Sequence, residues 1–334
     1  TGTRAALLDC YQGDIMSDEF ELIAKYFAPL AGAGGLGLLD DAAIMTPAIG
    51  KDLVISKDML VAGVHFFEDD DPAQIAMKAL GVNLSDLAGK GASPIGYLLA
   101  IALTQEISDD WLESFSSGLK ASQEKYGFCL LGGDTVKTPG PLTISITIFG
   151  DVAGGQVVKR SGAKVGDIVY VTGTIGDGAL GLIERSKFEA AAVDRYLLNR
   201  YLEPQPRVAL GRSLAGLVGA GMDISDGLLA DASHMMKASG CGMYIERDKI
   251  PISEQARLCI EMDASLWQTV LAGGDDYELL LTCRPDRQHA LMSVAKQADT
   301  LITAIGVIIE GDSLDVRDGN GETLDYDKLG YVHF

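Results

Sequence analysis

Apolar residues recur at helical spacing through Pro72–Gly89, where Ile75, Ala76, Ala79, Leu80 and Leu84 share a side. A second helical segment runs from Ser108, a residue type that caps helices, to about Lys125. Asp18 with Glu21 resembles a capping box opening a helix over about 19–30. Short apolar runs predict strands at LVIS (53–56), Ile95–Leu103 and Leu142–Phe149. The stretch Gly154–Gly166 carries glycines with Lys159, Arg160 and Lys164, and marks a domain boundary. Beyond it, DIVYVTG (167–173) reads as a strand, followed by helices near 177–187, 206–218 and 227–239. YELLLTC (277–283), a helix to about Gln297 and LITAIGVII (301–309) close the pattern. Strands and helices alternate without an all-parallel order, which predicts an α/β or α+β protein in two halves, 16–152 and 153–334.

Composition narrows the function classes. The chain has 334 residues, 47% hydrophobic and 22% charged, enough apolar content for a packed core and too much for disorder. Its formal net charge of −20 argues against nucleic acid and anionic membrane surfaces as partners, since both attract basic proteins. No apolar run approaches the ~18–20 residues of a membrane span. The first residues, TGTRAALLDCYQGDI, lack the apolar centre of a signal peptide. Met16 begins a cleaner start, and what precedes it reads as a leader or remnant. Five cysteines lie scattered without a CxxC pair, which fits a reducing, cytoplasmic compartment and no zinc site.

The chemistry-bearing pattern is acidic. Asp41, Asp58, Asp86, Asp134, Asp223, Asp226 and Asp275 all occupy short turn-like contexts rich in Gly, Ser or Ala. Several abut apolar segments, where an unpaired carboxylate is costly. Carboxylates without His or Cys select hard cations such as Mg²⁺, or alternatively Ca²⁺ or Mn²⁺. From the residues alone, a metal site and a solvated acidic surface both stay open. The run Glu68-Asp69-Asp70-Asp71 reads as a water-facing stretch of like charge. Gly32-x-Gly34-x-x-Gly37 has the spacing of a dinucleotide fingerprint, but a helix precedes it rather than a strand, so it reads as a glycine loop. No GxSxG elbow and no Walker loop is present. His65 lies near Asp58, while His234 and His289 read as structural. A weak internal echo pairs Asn83-Leu-Ser-Asp86 with Asp223-Ile-Ser-Asp226, and Gly132-Gly-Asp134 with Gly273-Gly-Asp275, which suggests halves that place acids alike.

Six motifs together resemble the thiamine-monophosphate kinase family: KDMLVAGVHF (57–66), NLSDLAGKGA (83–92), LLGGDT (130–135), KRSGAKVGD (159–167), MDISDGLLAD (222–231) and LAGGDDYELL (271–280). Their order and spacing match, and GYVHF (330–334) resembles the family's ending. The wider superfamily includes aminoimidazole ribonucleotide synthetase. The resemblance implies an N-terminal ATP- and metal-binding domain that forms a β-barrel across a homodimer, and a C-terminal α/β domain. It implies transfer of the γ-phosphoryl group of ATP onto thiamine monophosphate, assisted by several Mg²⁺ ions. The alternatives are another ATP-dependent synthetase of the superfamily, acting on a purine intermediate, or a non-catalytic acidic metal-binding protein.

Carried over by position, the resemblance assigns Asp41, Ser56, Lys57, Asp58, Asp86, Asp134, Asp223 and Asp226 to metal. It assigns Gly133, Asp134, Arg160 and Ser225 to ATP. His65 and Asp275 would face the thiamine moiety, together with Tyr326 or Tyr331. Three positions depart from the family pattern: Leu39 stands where a Gly is usual, Lys57 where a hydroxyl residue is usual, and Glu203 where a basic residue is common. Lys57 could serve metal only through its carbonyl, with its ammonium turned away.

Overall fold

The computed structural model describes residues 19–187 and 195–331. The expected cap at Asp18 and the last residues of GYVHF lie outside the described residues. Two sheets organise the chain. The first contains β1 (Lys51–Val61), β2 (Ser93–Leu103), β3 (Cys129–Lys137) and β4 (Thr143–Ala153), in the order β1-β4-β2-β3. β4 pairs antiparallel with β1 and β2, and β2 pairs parallel with β3. The second contains β5 (Ile168–Thr172), β6 (Ala220–Asp223), β7 (Gly242–Glu246), β8 (Leu279–Cys283), β9 (Ile302–Ile309) and β10 (Leu314–Arg317), in the order β10-β7-β9-β5-β8-β6. Its pairs are antiparallel apart from β10 with β7. The first sheet is open among the described residues and does not close into a barrel within one chain.

Between the sheets runs α1 (Pro72–Gly89), the element that positions the site. Asp71 caps it, its side chain accepting from Ala73 N at 2.9 Å, and Pro72 occupies the first turn, where a missing N–H costs nothing. Buried residues lie all round this helix, because it packs on α2 (Asp109–Tyr126), on the first sheet and on β6. Such packing needs small residues at the crossings. An added Cβ at Gly89 would lie 2.9 Å from Asp223 N and 3.1 Å from Met222 Cα, and one at Gly211 would lie 2.7 Å from Ala88 Cα. The second half also carries α3 (Asp177–Lys187), α4 (Arg195–Leu202), α5 (Leu228–Ser239), α6 (Glu254–Met262), α7 (Leu266–Ala272) and α8 (Gln288–Gln297), of which α8 packs into the core shared with α1 and α5 into that of the opposite sheet face.

The predicted elements are largely present, with instructive differences. β1 runs well beyond LVIS. Its alternate residues Val54, Ser56, Asp58 and Leu60 turn inward, while Leu53, Ile55, Lys57 and Met59 face outward. The segment 206–218 is not one helix. It forms a single turn, Val208–Gly211, followed by turns around Gly216, whose φ of 71° suits glycine. LLGGDT lies within β3 rather than in a loop. The Gly32 to Gly37 segment forms tight turns in which Leu36, Gly37 and Leu38 all have positive φ, not a strand-to-helix junction. The internal echo does not extend to local structure. Asp86 ends a helix while Asp226 precedes one, and Asp134 is in a strand while Asp275 sits in a left-handed turn.

Gly89→Val should lower the thermal unfolding midpoint, because overpacking costs about 1–3 kcal/mol and outweighs the smaller gain in helix propensity from removing a glycine. Circular dichroism melts read this directly; an unchanged midpoint would show that α1 has slack against β6.

Candidate functional site

A cleft of about 260 Å³ opens where α1 meets the end of β6 and the segment before β8. Asp58 comes from β1, Asp86 from α1, Asp223 from the end of β6 and Asp226 from the turn after it; all four line it. So do Ser225, His65, Asp275 and Tyr331. Ser56 donates to Asp86 from the inward face of β1. Burial first, and then Asp86, pushes the Asp58 carboxyl up to about 6. The same two causes push Asp223 up to about 8. The cleft therefore crowds carboxylates, and the charges of Lys57 on Asp58 and of Lys90 on Asp223 offset that crowding only in part.

Backbone hydrogen bonds assemble this wall from three distant segments. Asp275 N donates to Ser225 O (2.9 Å), Tyr277 N to Ile224 O (2.8 Å) and Tyr331 N to Asp226 O (2.9 Å). Asp275 and Tyr277 have φ of 60° and 51°, a left-handed conformation that non-glycine residues hold only when their surroundings enforce it. The enforcement comes from beneath. Glu278 is fully buried and accepts from Arg200 Nη2 (2.9 Å), Arg207 Nε (2.6 Å) and Thr172 Oγ1 (2.6 Å). Asp276 accepts from Gly176 N at 2.8 Å. Asp231, in the first turn of α5, reaches back to accept from Ser225 N (3.0 Å) and Asp226 N (3.2 Å), and burial followed by Asp226 raises it to about 7.

His65 is held from both sides. Its Nδ1 accepts from Val61 N at 3.0 Å, so the neutral ring carries its proton on Nε2. Tyr201 Oη donates to His65 O at 3.3 Å. The acidic run that follows is not simply water-facing. Asp70 is buried and accepts from Phe67 N, Asp71 caps α1, and Asp69 pairs with Arg185 at 2.6 Å. These aspartates tie the His65 loop to α1 and α3, roles that a count of like charges conceals. Glu203 accepts from Gln74 Nε2 at 2.8 Å, and Leu39 is exposed.

Four of the expected residues lie elsewhere. Asp41, Lys57, Gly133 and Asp134 line a second cavity on the outward side of the first sheet. There Lys57 Nζ donates to Ser145 Oγ at 2.6 Å, turned away from Asp58 by the strand's alternation. Arg160 lies in the loop before β5, with its charge felt by Lys90 and Asp231. Tyr326 packs against the core of the second half rather than lining the cleft. Sequence reasoning missed Lys78, Tyr201, Asp231, Glu278, Arg200 and Arg207. The signal available for Asp231 and Glu278 was their place inside motifs already singled out.

The fit of these residues to a divalent ion is partial in an informative way. Among the described residues no three Asp, Glu, His or Cys side chains stand close enough to hold a metal by themselves. Open carboxylates without a closed cage suit Mg²⁺, which keeps several waters and shares its coordination with phosphates.

The first half of the chain matches the model for AIR synthase related protein, N-terminal domain, over residues 39–152, and the second matches the corresponding C-terminal domain over 164–319. The thiamine-monophosphate kinase of Salmonella typhimurium is 42% identical over 325 residues, covering 95% of this chain and 98% of that protein. The chain belongs to the thiamine-monophosphate kinase family. The Bacillus subtilis member is 31% identical over 326 residues, again covering 95% of this chain and 99% of that protein. Among solved structures, the Stenotrophomonas maltophilia K279a kinase is similar with TM-score 0.78 and 36% identity, covering 96% of each chain. AaThiL complexed with AMPPCP and TMP is similar with TM-score 0.76 and 30% identity, covering 96% of this chain and all of that one. The hydrogenase maturation protein HypE shares the fold, at 19% identity and TM-score 0.78. Among the described residues no helix is long and apolar enough to cross a membrane.

In this kinase-family chain the raised carboxyls predict a pH response. Folded values above the ordinary carboxylate range near 4 mean that the folded chain holds more protons than the unfolded one across about pH 4–8. Their contribution to stability is present at low pH and lost as pH rises through 6 to 8. In divalent-free buffer this cluster should make the thermal midpoint fall between about pH 6 and 8, and Mg²⁺ should raise it more at the higher pH. Scanning fluorimetry reads both; equal Mg²⁺ gains at the two pH values would show that the ion does not meet these carboxylates.

Proposed function

We propose that this chain transfers the γ-phosphoryl group of ATP to the phosphate of thiamine monophosphate, giving thiamine diphosphate. The observation that carries the reading is the convergence of Asp58, Asp86, Asp223 and Asp226 with His65, Asp275 and Tyr331 in one cleft, in a chain similar to thiamine-monophosphate kinases along nearly its whole length. The acceptor phosphate is mostly ionised at pH 7, since its second pKa is about 6. It needs no general base, and none of the cleft residues has to remove a proton from it. The protein's work is to bring two anions together in line and hold them there.

Asp58, Asp86, Asp223 and Asp226 would hold Mg²⁺, with Ser56 steadying Asp86. The ion supplies charge neutralisation at the phosphoryl oxygens. Ser225 lines the same cleft, and Arg160, in a basic loop of an acidic chain, would contact ATP phosphate. His65 and Asp275 would face the thiamine moiety, and Tyr331 would pack on it, being the C-terminal tyrosine that lines the cleft. Asp41, Gly133 and Asp134 would serve ATP and metal from the second cavity, with Lys57 contributing its carbonyl alone.

The outward face of the first sheet supports a homodimer. Ile55 and Met59 are 58% and 55% exposed on it, beside Leu53 and Val136, an apolar strip of the kind that marks an interface. Pairing two such faces would build a barrel across the dimer and enclose the second cavity. Ile55→Asp should convert a dimer to monomers in light scattering after size exclusion; a variant that stays dimeric would place the interface elsewhere.

Asp86→Asn keeps the shape of the side chain and removes its charge. It should reduce ADP release that depends on thiamine monophosphate by more than about a hundredfold, about 2.7 kcal/mol at 1.36 per decade. Wild-type release with a purine intermediate and not with thiamine monophosphate would overturn the substrate assignment. Near-normal turnover of Asp86→Asn at saturating Mg²⁺ would remove Asp86 from the site.

A further inference from the structure

Lys78, Val82 and Asp86 follow one another at four-residue intervals along α1, so all three face the cleft. Val82 and Asp86 are an apolar wall and a carboxylate. Lys78 is harder to account for. Its side chain is only 3% exposed, and its ammonium makes no hydrogen bond of ordinary length among the described residues, Asp275 Oδ2 standing at 3.6 Å. Burying an ammonium this way costs several kcal/mol unless other charges compensate. A methionine would pack in the same space without that cost, so a structural stem alone does not explain the charge.

Three neighbours fix it. Nζ lies 3.5 Å from the centroid of the Tyr201 ring, a cation–π contact in a desolvated place. It lies 3.6 Å from Asp275 Oδ2, and the charge of Asp70 also acts on it. The other oxygen of Asp275, Oδ1, accepts from Tyr277 Oη at 2.9 Å. Asp275 is thus gripped at both oxygens by side chains while its backbone is left-handed. The ring beneath the ammonium belongs to the same tyrosine whose hydroxyl holds the His65 carbonyl. One buried cation therefore touches both halves of the wall that His65 and Asp275 make.

We propose that Lys78 is a positioning residue for acceptor binding: its buried ammonium orients the Asp275 carboxylate against the cleft and anchors Tyr201 beneath the His65 loop. This rests on the reading of the cleft as the thiamine monophosphate site. Lys78 acts through Asp275, not on the transferred phosphoryl group. The pairing leaves that wall close to neutral in charge, so Asp275 offers a directed hydrogen-bond acceptor. The negative charge is kept for the end where Asp58, Asp86 and Asp223 crowd.

A double-mutant cycle tests this. Steady-state kinetics would compare wild type, Lys78→Met, Asp275→Asn and the double variant, with ADP release as the readout. Lys78→Met should raise KM for thiamine monophosphate about tenfold, with KM for ATP within about twofold of wild type. The double variant should be no worse than Asp275→Asn alone. Lys78→Arg, which keeps the charge, should recover most of the affinity. Thermal melts check folding; should Lys78→Met not fold, the cycle is run with Lys78→Gln, whose KM penalty should likewise vanish in the Asp275→Asn background. Penalties that multiply in the double variant would overturn the proposal, as would an equal rise in KM for ATP. Wild type without any turnover of thiamine monophosphate would instead remove the acceptor reading, and this inference with it.

Discussion

Carboxylates forced together in a partly dry cleft are the constraint around which the rest of the molecule is arranged. Burial and the neighbouring Asp86 raise the proton affinity of Asp58 and of Asp223, and left alone these carboxylates would drive the walls apart. The chain does not relieve this with lysines or arginines inside the crowd. Lys90, just past the end of α1, offsets Asp86 and Asp223 only in part, Lys78 is held against Asp275, and Lys57 turns to the opposite face of β1. The repulsion is contained mechanically, by an unusually tight junction between α1 and the second sheet. The fold stores at this junction an affinity for positive charge that only a cation, or substrates arriving with one, can satisfy.

That containment depends on backbone rather than on side chains. Gly89 lets α1 lie directly on Asp223, and Gly211 meets Ala88 one turn away. The opposing wall is equally fixed, because Glu278 and Asp276 anchor the left-handed turn from below through Arg200, Arg207 and Gly176. Here Glu278 is paired with two arginines, while Asp276 is held by Gly176 and keeps one oxygen without a partner among the described residues. The two acidic populations of the same protein therefore do different jobs. Glu278 is neutralised in place, and the cleft carboxylates meet only partial countercharge.

Much of this was legible before the fold was known. The long helix at Pro72–Gly89 announced itself through apolar spacing, and the aspartates through their small-residue contexts. The resemblance grouped Asp41, Asp58, Asp86, Asp134, Asp223 and Asp226, and of these Asp58, Asp86, Asp223 and Asp226 line one cleft. What stayed hidden has a common cause. The splitting of Asp41, Gly133 and Asp134 into a second cavity depends on which face of a strand a residue takes, and LLGGDT looked like a turn because glycines mask a strand. Lys78 was indistinguishable from an exposed helical lysine until α1 was seen to be buried on every side. Arg200 and Arg207 belong to short or irregular segments, where periodicity carries little information. The run Glu68 to Asp71 misled because charge density does not reveal that one aspartate caps a helix and another is buried.

The alternation of β1 has a consequence for how this chain can change. Ser56, Lys57 and Asp58 are consecutive, yet hydroxyl and carboxylate point one way and ammonium the other. Inserting or deleting a single residue upstream in the strand, with pairing to β4 retained, would exchange the two faces. The ammonium would then stand among the carboxylates, and Asp58 would face outward toward the exposed Ile55 strip. Substitutions at Lys57 can accumulate, since its side chain only touches Ser145. Length changes between Lys51 and Asp58 cannot, and lineages of this chain should vary in the spelling of that segment while its residue count stays fixed.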